Sequence, residues 1–439
     1  MRGGLERWKR GVESHGVRAA IAYALEGDCD AASRPSRGVD ALARYADGAP
    51  TVTRFTARDG AITTDELDRE QLLSWVDGCD PLTGERRGRL LSSPDADLVL
   101  DGTINAPKSY SLVTMIHPEL AQEFEALQDR LRDRVVALWQ AELNARRGAG
   151  GRTREDLLQV EVVELRHRRS RALDPHIHRH LWLNVRVLGR DGQWSNVDSR
   201  VAMKMHTLVN AEGELAARTD PEWIAALARH GYTLNADGEI AEVAHAVRTL
   251  SRRSNQIEKN RALLLARWRE AHPGQHASPD VLHQIDRHAW ATGRPAKPKG
   301  FNETEWEQLV LDELAAIDPE LLAPLAAVAT RAAVSGDIDL LAARAIVDAD
   351  SRSAAYGGRF SEFDIRAGAT RAVAASGIVA ARESLQPHIA AVVARATELT
   401  IDLLDDTADR PAHIKGLMAT ATASLKVELA SRFDALQRP

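Results

Sequence analysis

Four of the chain's 15 histidines, His167, His176, His178 and His180, fall within one short window, which runs straight into Leu181-Trp182-Leu183-Asn184-Val185-Arg186-Val187. That apolar stretch predicts a β-strand, and residues two apart on a strand share a face. His178 and His180 therefore point the same way, and His176 joins them if the strand starts early enough. His167, at the end of the strand-like residues 159–165, can complete a cluster of three imidazoles. Neutral imidazoles bind divalent transition metals well. Arg166, Arg168, Arg169 and Arg171 stand in the same window and suit a polyanion. A metal beside a basic stretch suggests phosphodiester chemistry. Arg179, between two histidines, takes the opposite strand face and must reach solvent or a carboxylate there.

Charge is distributed unevenly. The net of −6 does not advertise nucleic-acid binding, but residues 301–439 hold 13 basic and 21 acidic side chains, which leaves residues 1–300 with 44 and 42. A local basic groove is compatible with the first part. All nine tryptophans lie at or before Trp306. Gly293-Arg294-Pro295-Ala296-Lys297-Pro298-Lys299-Gly300 precedes that shift and reads as a linker, so a boundary is expected near residue 300. Cys29 and Cys79 are too few for a disulfide framework and fit a reducing cytoplasm. The first ten residues lack the apolar core of a signal peptide, and no apolar run is long enough to span a bilayer.

The first part mixes strands and helices. Leu98-Val99-Leu100 with Thr103-Ile104 predicts a short strand, and Leu120, Phe124, Leu127, Leu131, Val135 and Leu138 mark a helical face with Gly148 as its stop. Arg190-Asp191-Gly192-Gln193 predicts a hairpin connection. Residues 199–270 read as helical, broken near Asn235-Ala236-Asp237-Gly238. Residues 301–439 read as nearly all helix, interrupted at Gly336, Gly357-Gly358, Gly368, Gly377 and Pro411. The dipeptide Gly-Lys occurs nowhere, so this stretch carries no helicase phosphate loop and no nucleotide site of that type.

The window resembles the histidine motif of the F-type (MobF-family) conjugative relaxases of the HUH endonuclease superfamily. That pattern is Arg-His-x-x-Ser-Arg followed by Asp-Pro-x-apolar-His-x-His. It selects His167, His178 and His180; His176-Ile177-His178 is also a literal His-apolar-His, and the Asp174-Pro175 anchor favours the later pair. Leu100-Asp101-Gly102-Thr103-Ile104-Asn105-Ala106-Pro107-Lys108-Ser109 is similar to the family's strand-to-helix motif, and Asp80-Pro81-Leu82-Thr83-Gly84-Glu85 to its Asp-Pro-x-Thr-Gly-Glu. Asp191-Gly192-Gln193-Trp194-Ser195 and Leu250-Ser251-Arg252-Arg253 through Ile257-Glu258 follow in the family's order. The resemblance covers roughly residues 15 to 298.

It implies an α+β fold, an antiparallel sheet with helices on one side and the active site on the open face. Residues 1–300 would form the relaxase domain, and residues 301–439 an acidic helical C-terminal region. A divalent ion, magnesium or manganese, would be held by His167, His178 and His180. Asp101 would orient a metal-bound histidine or help accept a tyrosine proton. Tyr23 would be the nucleophile and Tyr45 the alternative or second one. Lys108 would lie close to DNA, with Arg166, Arg168, Arg169 and Arg171 as candidate phosphate contacts. The implied partner is single-stranded DNA at a transfer origin in the bacterial cytoplasm, with accessory or coupling proteins meeting the acidic C-terminal region. Two other readings share these residues: an HUH-type replication initiator, and a non-catalytic DNA-binding module that keeps the metal site.

Overall fold

The computed structural model describes residues 3–10, 51–151, 153–170, 172–292, 302–329, 336–404 and 411–437. Tyr23, Tyr45, Cys29, Arg171 and the expected linker at 293–300 lie outside the described residues.

In chain order the first part comprises β1 (Leu5–Lys9), β2 (Val52–Arg58), β3 (Ala61–Leu67), α1 (Arg69–Val76), β4 (Asp97–Asn105), α2 (Lys108–Ile116), α3 (Pro118–Glu142), β5 (Asn144–Arg147), β6 (Thr153–Arg169), β7 (Pro175–Asn184), β8 (Arg186–Gly189), β9 (Trp194–Asn196) and α4 (Ser199–Thr219). The strands make one nine-stranded antiparallel sheet, whose main path runs β1-β4-β7-β6-β2-β3. The two histidine-bearing strands are therefore central and adjacent. Their register pairs Leu165 with His180 and His167 with His178, while Thr103 of β4 pairs with His180. Paired residues share a face. His167, His178 and His180 thus stand together with Asp101, Thr103 and Asn105; Glu164, Arg166 and Arg179 stand on the other side.

That other side is covered by α3. Its Leu120, Phe124, Leu127, Leu131, Val135 and Leu138 are all buried, as their spacing predicts. Close approach of this helix requires Gly102, since a Cβ there would stand 2.9 Å from the Trp139 ring. The helix ends at Glu142, before Gly148. Gly148 instead takes a left-handed φ of 68° in the turn between β5 and β6. The expected short strand at residues 98–104 is part of the nine-residue β4, and Asp191-Gly192 does turn the chain between β8 and β9.

After α4 come α5 (Pro221–Arg229), α6 (Ala244–Val247), α7 (Arg252–Ala271) and α8 (Pro279–Ala291), with a turn at Asn235–Gly238. Next is α9 (Glu303–Ile317). Composition places it beyond the boundary, yet Trp306, Val310 and Leu314 are buried in the same core as the sheet. A second core joins α10 (Ile338–Arg352), α11 (Glu362–Ala374) and α12 (Arg382–Thr397), and Leu215 of α4 belongs to it. Gly368 does not interrupt α11: a Cβ there would meet the Ala345 carbonyl oxygen at 2.4 Å, so it marks a tight helix crossing. The C-terminal region is helical apart from a short ribbon of β10 (Thr400–Asp402) and β11 (Leu417–Ala419), and it ends in α13 (Thr420–Gln437). Among the described residues no helix is long and apolar enough to cross a membrane.

Candidate active site

The three imidazoles expected to cluster do so. Ring centroids of His167 and His178 are 5.1 Å apart, and each is 5.4 Å from that of His180. All three residues are buried. The His180 Nδ1 lies 2.9 and 3.0 Å from the two carboxylate oxygens of Asp101, itself buried. A carboxylate accepts, so Nδ1 carries the proton and the lone pair is on Nε2. His178 is fixed likewise: its Nδ1 donates to the carbonyl of His176 at 2.8 Å. Both rings are thereby in the tautomer that binds a metal through Nε2, each held from behind as metal-binding histidines usually are. Burial, then the charges of His176, His167 and His180, holds His178 well below the usual histidine pKa, so it stays neutral.

Separations near 5 Å are roughly those of imidazoles sharing one ion through Nε2. As the side chains stand, however, no group of three His, Cys, Asp or Glu among the described residues closes on a preformed ion site. The donor chemistry fits a divalent ion; the grip itself is not drawn shut. His176 stacks on His178 at 4.6 Å, and burial followed by repulsion from Lys108 and His180 lowers its pKa to about 3. The alternating strand that places His178 and His180 also brings this fourth imidazole alongside.

The anchor before β7 is built from distant parts of the chain. Asp174 is buried, accepts the backbone N–H of Arg253 at 3.2 Å, and lies 3.5 Å from the Arg252 guanidinium and 3.2 Å from the Ser170 hydroxyl. The Ile177 N–H donates to Ser111 Oγ of α2 at 2.9 Å. The motif at residues 250–253 therefore fixes the strand that carries two of the histidines. Lys108, in the first turn of α2, is brought near His176 and Asp174. Burial lowers its pKa to about 8, with Asp174 opposing and Arg252 adding to the shift.

The arginines separate. Arg166 lies across the sheet from the histidines, against Glu164 at 2.8 Å, Asp129 at 3.2 Å and Glu125 at 3.4 Å. Arg168 contacts Glu307 of α9 at 2.6 Å, Arg169 pairs with Glu303, and both guanidiniums lie over Trp306 at 5.6 and 5.5 Å. Sequence reasoning missed these α9 carboxylates. Arg179 meets its expected carboxylates: Asp129 at 2.5 Å, Glu125 at 2.6 Å and Glu164 at 2.8 Å, with Gln128 at 3.1 Å.

Solved structures share this fold. A TrwC conjugative relaxase with mutant OriT DNA matches with a TM-score of 0.50 at 20% identity, over 73% of this chain and 99% of that one. A metal-bound TrwC complex with OriT DNA matches with a TM-score of 0.49 at 19% identity, over 72% and 98%. A third, TrwC with a 27-mer DNA comprising the recognition hairpin and the cleavage site, gives 0.48 at 20% identity, over 71% and 98%. Comparison with curated proteins found no match. An antiparallel sheet with a buried histidine cluster on one face defines the class, and the family follows from the sequence. The TrwC relaxase model matches residues 45–317, more than half of the chain, and this chain belongs to that family. It is a DNA relaxase, an enzyme that nicks DNA at a transfer origin.

Proposed function

We propose that this relaxase cuts one strand of transfer-origin DNA with a tyrosine nucleophile, assisted by a divalent ion held by His167, His178 and His180. The observation that carries the reading is the triangle of buried imidazoles, with His180 set in its metal-binding tautomer by Asp101. A relative of the same fold has been solved in a metal-bound form with OriT DNA. A bound magnesium or manganese ion would polarise the scissile phosphate and offset charge building on its oxygens. Three neutral ligands leave the ion's charge uncancelled, which a polyanionic substrate favours.

Tyr23 is the proposed nucleophile and Tyr45 a second one. The phenol gives up its proton and attacks phosphorus; an O–P bond forms to tyrosine and the bond to the 3′ oxygen breaks. The products are a free 3′ hydroxyl and a 5′-phosphotyrosine, which keeps the phosphodiester energy for rejoining, so no nucleotide is consumed. Asp101, with both oxygens against His180 Nδ1, positions that ring. Lys108 places a half-buried cation beside the cluster, where a phosphate could compensate it. Arg168 and Arg169 stand at the end of β6; they and Arg171 are proposed phosphate contacts, and Arg166 faces away. The setting is proposed to be the bacterial cytoplasm, with accessory or coupling proteins as further partners.

Single-stranded oligonucleotides tiled across the gene's neighbourhood, incubated with the protein and manganese, test this. One of them is expected to be cut and to leave a covalent adduct on Tyr23, abolished by Tyr23→Phe. An adduct on Tyr45 would reverse the tyrosine assignment. Cutting that survives both Tyr→Phe changes would overturn the mechanism.

A further inference from the structure

Among the described residues, the last helix, α13, is held only at its start. The Thr420 hydroxyl donates to the Leu399 carbonyl at 3.0 Å, the Thr422 hydroxyl donates to Asp350 at 3.0 Å, and Lys426 reaches the Gly357 carbonyl. Beyond that, residues 424–436 are all exposed. Leu425, Leu429, Phe433 and Leu436 are between 46% and 82% exposed. Their spacing of 4, 4 and 3 puts them in one stripe along the helix. A solitary helix of this length is marginal in water, and an aligned apolar stripe on it marks an interface.

The charges beside the stripe say what covers it. Lys426, Glu428, Arg432 and Asp434 alternate in sign and are antisymmetric about position 430; within one helix Glu428 and Arg432 already pair, one turn apart on a single flank, so across the twofold the two such pairs would join into a four-charge cluster. The stripe is centred at nearly the same point. Such a helix is its own complement when reversed. We propose that α13 pairs antiparallel with α13 of a second copy of this chain, about a twofold axis near residue 430. Glu428 then meets the partner subunit's Arg432, and Arg432 the partner subunit's Glu428, on the same flank. Leu429 packs toward the partner subunit's Phe433, and Leu425 toward the partner subunit's Leu436. The contact is isologous, so every interaction occurs twice. A parallel pair would instead turn the Glu428 and Arg432 flank toward the opposite flank of the partner helix, so these two charges would not meet their counterparts. A lipid surface fits poorly, because the two cations are matched by two anions and leave no basic face. The single-helix contact is smaller than the standard ~1,600 Å² interface, so a dimer that comes apart on dilution is expected.

Sedimentation velocity on the full chain over a dilution series tests the pairing. The mass should fall from a dimer toward the 48.0 kDa monomer on dilution, while Leu429→Glu should be monomeric throughout with its thermal unfolding unchanged. Glu428→Arg and Arg432→Glu should each weaken the dimer by about tenfold or more, since each sets like charges together. Mixing those two variants one to one should restore it, because only the antiparallel arrangement then pairs opposite signs. A wild-type chain that stays monomeric at all concentrations would overturn the proposal. So would single variants that still dimerise, or a mixture that fails to associate.

Discussion

Strand β7 carries opposite chemistry on its two sides. Toward one face it presents His178 and His180, both buried, the first kept neutral by that burial and the second with a single carboxylate behind it. Toward the other it presents Arg179, fully buried and surrounded by Glu125, Asp129 and Glu164. The first face is left poor in charge, as suits the proposed binding of a cation and a phosphate there. The second is rich in charge but internally balanced, so Arg179 is spent on its own carboxylates and does not compete with the proposed ion for a phosphate. The two sides also lock the strand. A slip of one residue would turn Arg179 into the imidazole cluster and the histidines into a nest of carboxylates. Register, usually set by apolar alternation, is set here by charge as well.

The largest expected effect breaks the comparison at its first face. His178→Ala or His180→Ala should lower cleavage by orders of magnitude while circular dichroism and unfolding change little. Each removes a proposed ligand and leaves the carboxylate nest intact. Cleavage within about tenfold of wild type would take the histidine face out of the chemistry.

Arg179→Met tests the second face. It leaves Glu164 buried with only Arg166 and the more distant Arg132 for partners. A loss on the order of 3 kcal/mol is expected in denaturant unfolding, because an under-compensated buried charge is costly. Cleavage by the folded fraction should stay near wild type. Pairing it with Glu164→Leu should recover much of the loss, since a matched apolar pair avoids desolvating either ion. A drop below about 1 kcal/mol would show that the nest does not hold the strand.

Asp101→Asn probes the support behind the first face. The amide oxygen can still accept from His180 Nδ1, but without the carboxylate's charge. Manganese affinity, measured by calorimetry, should fall about tenfold, the lower end for such supporting partners. Unchanged affinity would mean that the His180–Asp101 contact serves only packing.

Much of this arrangement was legible in the chain. Alternation in β7 put His178 and His180 on one side and Arg179 on the other, and Asp174-Pro175 favoured His178 and His180 as the pair, while the early start of the strand at Pro175 was left open. The same parity, applied to β6, separates Arg166 from His167, so the arginine run could not act as one surface. What local pattern could not supply was distance. Trp306 follows the linker in composition, yet its Nε1 donates to the Leu173 carbonyl at 2.9 Å and Arg168 and Arg169 lie over its ring. Only those contacts, formed across more than 130 positions of chain, place α9 in the first core. Gly368 misled for a related reason: a glycine reads as a break until a neighbouring helix is known to press on it.

The smallest effect sharpens the contrast through pH. At Asp129 burial alone would raise the pKa, but the hydrogen bond and charge of Arg179, with Arg132 and Arg166, outweigh it and hold the group below the usual carboxylate range. A depressed carboxylate contributes stability that is present above its unfolded pKa and lost as pH falls through its folded one. The nest should therefore be indifferent to pH between 5 and 8 and begin to loosen only below about 4. Because Asp129 is 40% exposed, solvent screens the pair and the loss should be modest. The check is the difference in thermal midpoint between wild type and Asp129→Asn. It should be roughly constant above pH 5 and shrink toward zero as the acid limb is entered. A difference that grows as pH falls would reverse the sign and remove Asp129 from the set of carboxylates that holds Arg179 in place.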